Sequence, residues 1–300
     1  MKIKNVFTVL FLMWGLTGAL AQINLSFNPE NGARYEYHVE MTQNIKQSVM
    51  GQEMPVVMVM NTKYLMEIVN KTAQEITVRF TYKEIAYSLS SLMMRMEYDS
   101  RNPVENLSGM DQILGKMLGA MIGQSVNAVF APDGSVKSVT GMEAIGESMV
   151  SAIANEGLMG AQLGAQLKQQ FNDDAMKGMF EQSFRIYPAR PVNVGASWNV
   201  ESMMMVNNMN TGSRIRYTLR EVSNNMAIVA VEGEIEISPG AGMEGNINGT
   251  QTGTMTVDIR TGIPTASELL QNTRGSVRAQ GIDVQMEIVA NINASIQKIN

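Results

Sequence analysis

Long stretches in which apolar and polar residues alternate one for one constrain the fold of this chain more than any other feature. The longest stretch places an apolar residue at every second position from Val284 to Ile296. Similar stretches surround Tyr37, Phe80 and Val231. This pattern is typical of antiparallel strands with one buried and one wet face, and several stretches exceed the usual strand of about five or six residues. The sequence therefore predicts a large, curved antiparallel β-sheet or half-barrel.

Two regions between these stretches have helical spacing instead. Residues 105–122 and 142–184 place apolar side chains every three or four positions, and Ser108 is a suitable cap for the first region. Interior glycines such as Gly160 and Gly164 weaken the second region, which we therefore divide into two or three short helices. We expect these helices to cover the apolar, concave face of the sheet. The predicted fold class is α+β.

Three short segments recur in the same order before and after the helical region. The pairs are Gly32–Tyr35 with Gly195–Trp198, Tyr64–Val69 with Tyr217–Val222, and Met96–Arg101 with Met255–Arg260. This order indicates two related halves that share one sheet. The predicted organisation is a single β-rich domain over 22–300, with half one at 32–140, a helical insertion at 141–186 and half two at 187–300. The glycine-rich stretch 240–253 is interpreted as a mobile loop or an edge strand of small residues, and as a candidate rim of a binding cleft.

Residues 1–21 have the composition of a secretory signal peptide. Lys2 and Lys4 precede an apolar run from Val6 to Leu16, and Ala19-Leu20-Ala21 offers the small residues that signal peptidase reads. The run is shorter than the roughly 20 apolar residues of a membrane-spanning helix. We therefore expect an exported chain, located in the periplasm or associated with the outer membrane after cleavage near Ala21.

The composition excludes several kinds of site and partner. The chain has no Cys, which excludes disulfides, thiolate metal sites and a Cys nucleophile. Its net charge is −5 and it has no basic stripe, so we expect no nucleic-acid partner. The sequence predicts no cofactor and does not define an oligomeric state.

No strong catalytic motif is present. Phosphate-binding loops, dinucleotide fingerprints, zincin helices and calcium loops are all missing from the sequence. The single histidine, His38, lies on the polar face of a predicted strand and is interpreted as a surface residue. Carboxylates at Asp99, Asp173, Asp174 and Asp258 leave a carboxylate-based hydrolase as a less favoured alternative. We expect a non-enzymatic protein.

Methionine is unusually abundant, at 27 of 300 residues. Three pairs are two positions apart and would share one face of a strand: Met58 and Met60, Met94 and Met96, and Met203 and Met205. Thioethers are soft ligands that suit Cu(I), so a copper site is a less favoured alternative. The favoured interpretation is an adaptable apolar interior or groove.

Several segments outside these pairs form a recognisable set. They are the signal peptide ending in Ala-Gln, the pattern Gly32-x-x-Tyr35-x-Tyr37, and the Pro-Val-x-Val-Gly-x-x-Trp segment at Pro191–Trp198. In these segments the chain resembles a family of exported Bacteroidota proteins of unassigned function, and the resemblance covers nearly all of the chain after the signal peptide. A curved sheet covered by inserted helices is also similar to the LolA/LppX type of lipoprotein or lipid carrier. Neither resemblance implies catalytic residues, and the second implies lipid binding.

The sequence thus predicts an envelope protein that binds an apolar ligand such as a lipid or acyl chain, with peripheral association with the envelope. The helices are expected to line the ligand site. The predicted lining residues are Met110, Met117, Met121, Met149, Leu163, Leu167, Phe171 and Met176. The alternative is a structural or interaction module of the envelope with a packed core, which a large exposed apolar patch would favour.

Overall fold

The computed structural model describes residues 22–49, 51–103, 109–206, 209–240, 243–279 and 281–299. The predicted signal peptide at 1–21 and the predicted cap at Ser108 lie outside these residues. The first half of the chain contains strands β1 (Arg34–Val49), β2 (Gln52–Lys71), β3 (Ile76–Ser91), β4 (Arg95–Asp99), β5 (Ser125–Phe130) and β6 (Val136–Thr140). The second half contains β7 (Ser197–Val206), β8 (Met209–Ser223), β9 (Met226–Pro239), β10 (Met243–Asp258), β11 (Pro264–Ala279) and β12 (Ile282–Ile299).

Four helices accompany the strands. They are α1 (Gly109–Gly119), between β4 and β5, and α2 (Met142–Ala152), α3 (Gly157–Gln170) and α4 (Asp173–Phe184), between β6 and β7. The predicted division of 142–184 into short helices is confirmed. A large sheet with a minority of helices also confirms the α+β fold class.

All twelve strands belong to one antiparallel sheet. Its order is β6-β5-β3-β2-β1-β12-β11-β10-β9-β8-β7, and β4 pairs with β3 beside this path. The strands on the two sides of the helical insertion occupy separate sides of the sheet and meet at β1 and β12, which pair from Arg34–Ile299 to Val49–Val284. The prediction that both halves share one sheet is confirmed.

Helix α4 shows that the sheet is rolled. It packs against both β6 and β7, which are the two edges of the sheet. Eleven strands in the path, spaced about 4.8 Å apart, would separate these edges by about 50 Å in a flat sheet. Both edges reach one helix only because the sheet curls around it. The sheet stays open, and α4 fills the seam between its edges. We call the face toward α4 the inner face.

Aromatic packing holds α4 in this seam. Phe180 stacks on Phe80 of β3 with ring centroids 4.6 Å apart, and Phe184 lies 5.1 Å from Phe130 of β5. Phe27, from the segment before β1, lies 5.2 Å from Phe130. These five phenylalanines, which we call the aromatic cluster, join the N-terminal segment, the first half of the sheet and α4. Offset and edge-to-face contacts of this kind add to the stability gained from burial.

The N-terminal segment closes one end of the rolled sheet. The backbone N–H of Phe27 donates to the carbonyl of Pro132 at 2.7 Å, and that of Asn28 donates to Thr261 at 2.7 Å. The segment therefore bridges the β5–β6 turn of the first half and the β10–β11 turn of the second half. We call this end the base and the opposite end, with the β1–β2 and β11–β12 hairpins, the tip end.

Small residues allow the second half to curl tightly. Gly233 of β9 and Gly249 of β10 lie on the inner face, where the side chains of Ile215 and Thr273 occupy the space that a Cβ would need. Residues 243–253 therefore form part of β10, inside the sheet. The prediction of a strand of small residues is confirmed, whereas the mobile loop and the position near the sheet edge were wrong. The glycines serve close contact between neighbouring strands rather than mobility.

The two halves begin with the same local geometry. Gly32 donates its N–H to the carbonyl of Ile68 at 2.9 Å, and Gly195 donates its N–H to Leu219 at 2.7 Å. These bonds make Ile68 and Leu219 equivalent, whereas the sequence comparison matched Leu219 with Met66. The related layout is present, but the second matched pair was shifted by two residues.

The helices cover part of the inner face of the sheet, as expected. Their backbones come closest to β4, β5, β6 and β7, near the seam, and Phe180 of α4 also stacks on β3. Their glycines are contact points: a Cβ on Gly164 would meet Val150 of α2, and one on Gly178 would collide with Met204 of β7. The prediction that inserted helices cover the apolar face is confirmed, with the closest packing along the seam.

We expect Phe184→Ala to lower the free energy of unfolding by about 3–5 kcal/mol, because it removes a buried ring that contacts four other phenylalanines. Urea denaturation followed by circular dichroism measures this change. Met179→Ala on the same helix is the control, since Met179 is 51% exposed. Equal effects of the two substitutions would contradict the role given to the aromatic cluster.

Candidate functional site

The inner face encloses a cavity of about 140 Å³ beside the end of α4. It is lined by Tyr37 and Val39 of β1, Leu269 of β11 and Ile292 of β12. Phe184 also lines it and separates it from the rest of the aromatic cluster. Cavities of about 150 Å³ with apolar walls admit a molecule the size of benzene. The cavity therefore has room for a short apolar segment, and a longer ligand would have to extend beyond it.

Two glutamines give this inner cavity a polar side. Gln271 of β11 donates from Nε2 to Oε1 of Gln251 of β10 at 2.7 Å, and Gln251 is 5% exposed. The amide of each residue has two donors and an acceptor with two lone pairs, so the pair has capacity left for another polar group. The cavity can thus accommodate an apolar chain and orient one polar group beside it.

The inner face continues from the cavity toward the tip end as a surface that we call the trough. Met41 of β1, Met58 and Met60 of β2, and Met286 and Ile288 of β12 share this face and are all partly buried. These side chains keep part of their surface exposed, so the trough is a part of the inner face that is not fully covered. Flexible thioethers make such a surface adaptable to different apolar shapes.

The methionine pairs differ in their positions. Met58 and Met60 share the inner face, as predicted. Met94 lies in the turn before β4, so it does not share a strand face with Met96. Met203 is 78% exposed on the outer face, and the side chain of Met205 lies outside the described part of the structure. A Cu(I) site at these pairs stays a prediction.

The eight predicted lining residues lie in and around the helices. Met110 is exposed; Met117, Leu163 and Phe171 are partly buried against the core; and Met121, Met149, Leu167 and Met176 are buried within it. None of them is among the residues that line the inner cavity, which come from the strands and from the end of α4. Their role in ligand binding stays a prediction. The β11 residues were missed because only Leu269 among Ser267, Leu269 and Gln271 is apolar.

Three tyrosines lie side by side on the inner face near the cavity. Tyr37, Tyr64 and Tyr82 occupy one row across β1, β2 and β3, with ring centroids 5.6 Å and 4.8 Å apart. Burial raises the pKa of all three phenols, and that of Tyr82 rises to about 12. The row therefore stays uncharged at physiological pH and presents an apolar wall with few polar atoms.

A wider concavity of about 1080 Å³ is lined by residues of β7 to β12. Its lining includes the inner-face residues Gly249, Thr273 and Ile288, so it adjoins the trough at Ile288. Its lining also includes charged residues; Arg214, for example, donates from Nε to Oε1 of Glu201 at 2.8 Å. Exposed ion pairs of this kind contribute little and are screened by salt. This concavity is more open than the inner cavity and has a more polar lining.

The candidate carboxylates have structural roles. Asp99 accepts from Nη2 of Arg101 at 2.7 Å, which lowers its pKa, and Asp258 is paired with Arg260 in the same kind of turn. Asp173 accepts from the backbone N–H of Met142 at 2.8 Å at the start of α2. Among the described residues, no three His, Asp or Glu side chains form a group that could hold a metal ion.

A further apolar surface is exposed at the tip end. The turn between β3 and β4 exposes 77% of Leu92 and 91% of Met93. The hydroxyl of Ser91 accepts from the backbone N–H groups of Met93 and Met94 at 3.3 and 3.1 Å, which fixes this turn. No helix in the described part of the chain is long and apolar enough to cross a membrane.

The chain belongs to a protein family of unknown function, DUF6263, whose pattern it matches over residues 73–264. This confirms the predicted membership of a family without an assigned function. A comparison with curated proteins finds no significant match.

Several solved structures are similar to part or all of the fold. A lipovitellin structure has a TM-score of 0.45 and 10% identity, over 91% of this chain and 26% of the lipovitellin chain. OccK7 (OpdD) of Pseudomonas aeruginosa has a TM-score of 0.24 and 6% identity, over 90% of this chain and 100% of its own. The COG4313 outer membrane channel of Pseudomonas putida F1 has a TM-score of 0.24 and 9% identity, over 89% of this chain and 96% of its own. The chain thus spans about a quarter of lipovitellin, and similarities this low support no functional conclusion.

We expect the row of buried tyrosines to make stability depend on pH in the alkaline range. The pKa of Tyr82 is about 12 in the folded protein and near 10 when unfolded, so its neutral phenol contributes stability below pH 10 that is lost as the pH rises toward 12. Absorbance of the ionised phenol, followed during alkaline titration, measures this. Tyr82→Phe should flatten the loss of stability above pH 10 more than Tyr87→Phe, because Tyr87 is less deeply buried than Tyr82. Full ionisation of every tyrosine near pH 10 in the folded protein would contradict the prediction.

Proposed function

We propose that this protein is a non-enzymatic component of the cell envelope that binds an apolar ligand, such as an acyl chain, in the inner cavity and the trough. The observation that carries this proposal is the inner cavity itself. It is enclosed, mainly apolar and next to a part of the inner face that is not fully covered.

The size of the inner cavity defines how a chain would bind. A volume of about 140 Å³ holds only one end of an acyl chain, and the rest would lie along Met41, Met58 and Met60. Apolar burial contributes about 0.8 kcal/mol for each CH₂ group, so contacts along the trough would supply most of the affinity. The Gln251–Gln271 pair would receive a polar group of the ligand.

The route of entry follows from the two ends of the sheet. At the base, the N-terminal segment bridges the two halves of the sheet beside the buried aromatic cluster, and the helices are closely packed at their glycines. We therefore expect the ligand to enter from the tip end rather than by opening of the helices. Leu92 and Met93 expose apolar surface at this end and support peripheral contact with a lipid surface.

The alternative is a structural or interaction module of the envelope. It would use the same fold with a trough that stays empty, and the exposed Leu92 and Met93 would contact a partner protein. A carboxylate-based hydrolase is less favoured, because Asp99 is paired with an arginine and Asp173 accepts a hydrogen bond at a helix start. Cu(I) binding at Met58 and Met60 is also less favoured.

We expect native mass spectrometry of the protein purified from its own envelope fraction to show a near-stoichiometric apolar ligand. Ala294→Phe places a ring in the inner cavity from β12 and should lower ligand occupancy at least tenfold. Ala266→Phe, on the exposed face of β11, is the matched control and should leave occupancy unchanged.

Two results would contradict this proposal. The first is a ligand-free protein that takes up no added fatty acid. The second is equal occupancy in both variants. Recovery of the protein in the cytosolic fraction would contradict the envelope location.

A further inference from the structure

A second pocket, partly open to solvent, lies at the base of the sheet. Its volume is about 350 Å³, within the range of pockets that bind small molecules. It is lined by Tyr35 of β1, Lys71 of β2 and Lys298 of β12, and by residues of the N-terminal segment and of the turn between β10 and β11. We call it the basal pocket. Only Ile296 lines both this pocket and the inner cavity.

The charged groups of the basal pocket do not balance. Lys298 is paired with Glu30, and Arg260 with Asp258 at 3.3 Å. Lys71 instead donates from Nζ to the carbonyl of Pro29 at 2.9 Å, and it has no carboxylate partner among the described residues. Three cations therefore face two carboxylates, which leaves one positive charge in the pocket.

The hydroxyl of Tyr35 is also left without a partner. The residue is 4% exposed, and its Oη is buried with no hydrogen bond to any described residue. A buried polar group in this state destabilises the fold, so its presence calls for an explanation. Burial raises the pKa of Tyr35, and the hydroxyl therefore stays protonated and able to donate.

We propose that the basal pocket binds an anionic oxygen group, a carboxylate or a phosphate, between the Tyr35 hydroxyl and the Lys71 ammonium group. An anionic oxygen accepts hydrogen bonds from both donors and balances the remaining positive charge. A neutral ligand would satisfy the hydroxyl and leave the charge of Lys71 unbalanced. The pocket is large enough for the anionic group together with the small molecule that carries it. This site is independent of ligand binding in the trough.

The test is a chemical-shift titration of the purified protein with inorganic phosphate and with acetate, at constant ionic strength in chloride. Saturable binding is expected, and Tyr35→Phe should weaken it about tenfold or more, because hydrogen bonds to charged groups are strong. The same variant should melt at an unchanged or higher temperature, since it removes a buried unpaired hydroxyl. Tyr98→Phe, on the inner face of β4, is the matched control and should leave binding unchanged.

Two further measurements separate the possible sources of the anion. Lys71→Met should weaken binding as strongly as Tyr35→Phe, whereas Ala294→Phe in the inner cavity should leave anion binding unchanged. Vesicles of phosphatidylglycerol replace the free anions in a parallel titration. Binding of free anions that depends on Tyr35 supports the proposal with a small acid as the ligand. Binding of vesicles alone that depends on Tyr35 supports it with a lipid headgroup as the source.

The proposal is overturned if neither anions nor vesicles bind. It is also overturned if Tyr35→Phe lowers the melting temperature and leaves anion affinity unchanged, because the hydroxyl would then have a purely structural role.

Discussion

The contact between the phenylalanines of α4 and those of β3 and β5 is the interaction on which the rest of the structure depends. A sheet of twelve strands has two edges with unpaired backbone groups, and these must be covered or held apart from other chains. Here one helix packs against both edges, and Phe180 and Phe184 fix it there through Phe80 and Phe130. Together with the N-terminal segment, which bridges the β5–β6 and β10–β11 turns, this contact holds the two edges of the sheet near each other.

This contact also divides the interior into two unequal parts. Toward the base, the N-terminal segment and the aromatic cluster pack into the interior, and Phe27 is fully buried. Toward the tip end, the inner face continues beyond α4 with side chains that are only partly buried. The proposed ligand site is thus a consequence of where α4 ends: Phe184 forms one wall of the inner cavity, and the strands beyond it form the trough.

Much of the fold follows from local patterns in the sequence. The alternation from Val284 to Ile296 predicted a strand with one buried face, and over this stretch of β12 the alternate apolar side chains are buried or partly buried. The helical spacing of 142–184 likewise predicted short helices. These features depend on neighbours within one element, which the sequence shows directly.

The candidate site was harder to predict, because it depends on contacts between distant elements. The interior glycines of the helices indicated a loose cover, whereas Gly164 and Gly178 are points of close contact with other elements. The glycines of 240–253 suggested a loop. Gly249 instead makes room for Thr273 of the neighbouring strand, and this contact between strands cannot be read from the sequence. The polar residues of the inner cavity gave no signal, because Gln251 and Gln271 meet only once β10 and β11 pair.

The most direct test of this account is photolabelling with a fatty acid that carries a diazirine at the end of its chain, followed by peptide mass spectrometry. The account predicts labels on the inner face next to α4, at residues such as Leu269 and Ile292, and labels that move to the trough as the diazirine is placed nearer the carboxyl group. Labels concentrated on Met149 and Leu167 of the helices, or on the outer face around Arg214, would contradict it.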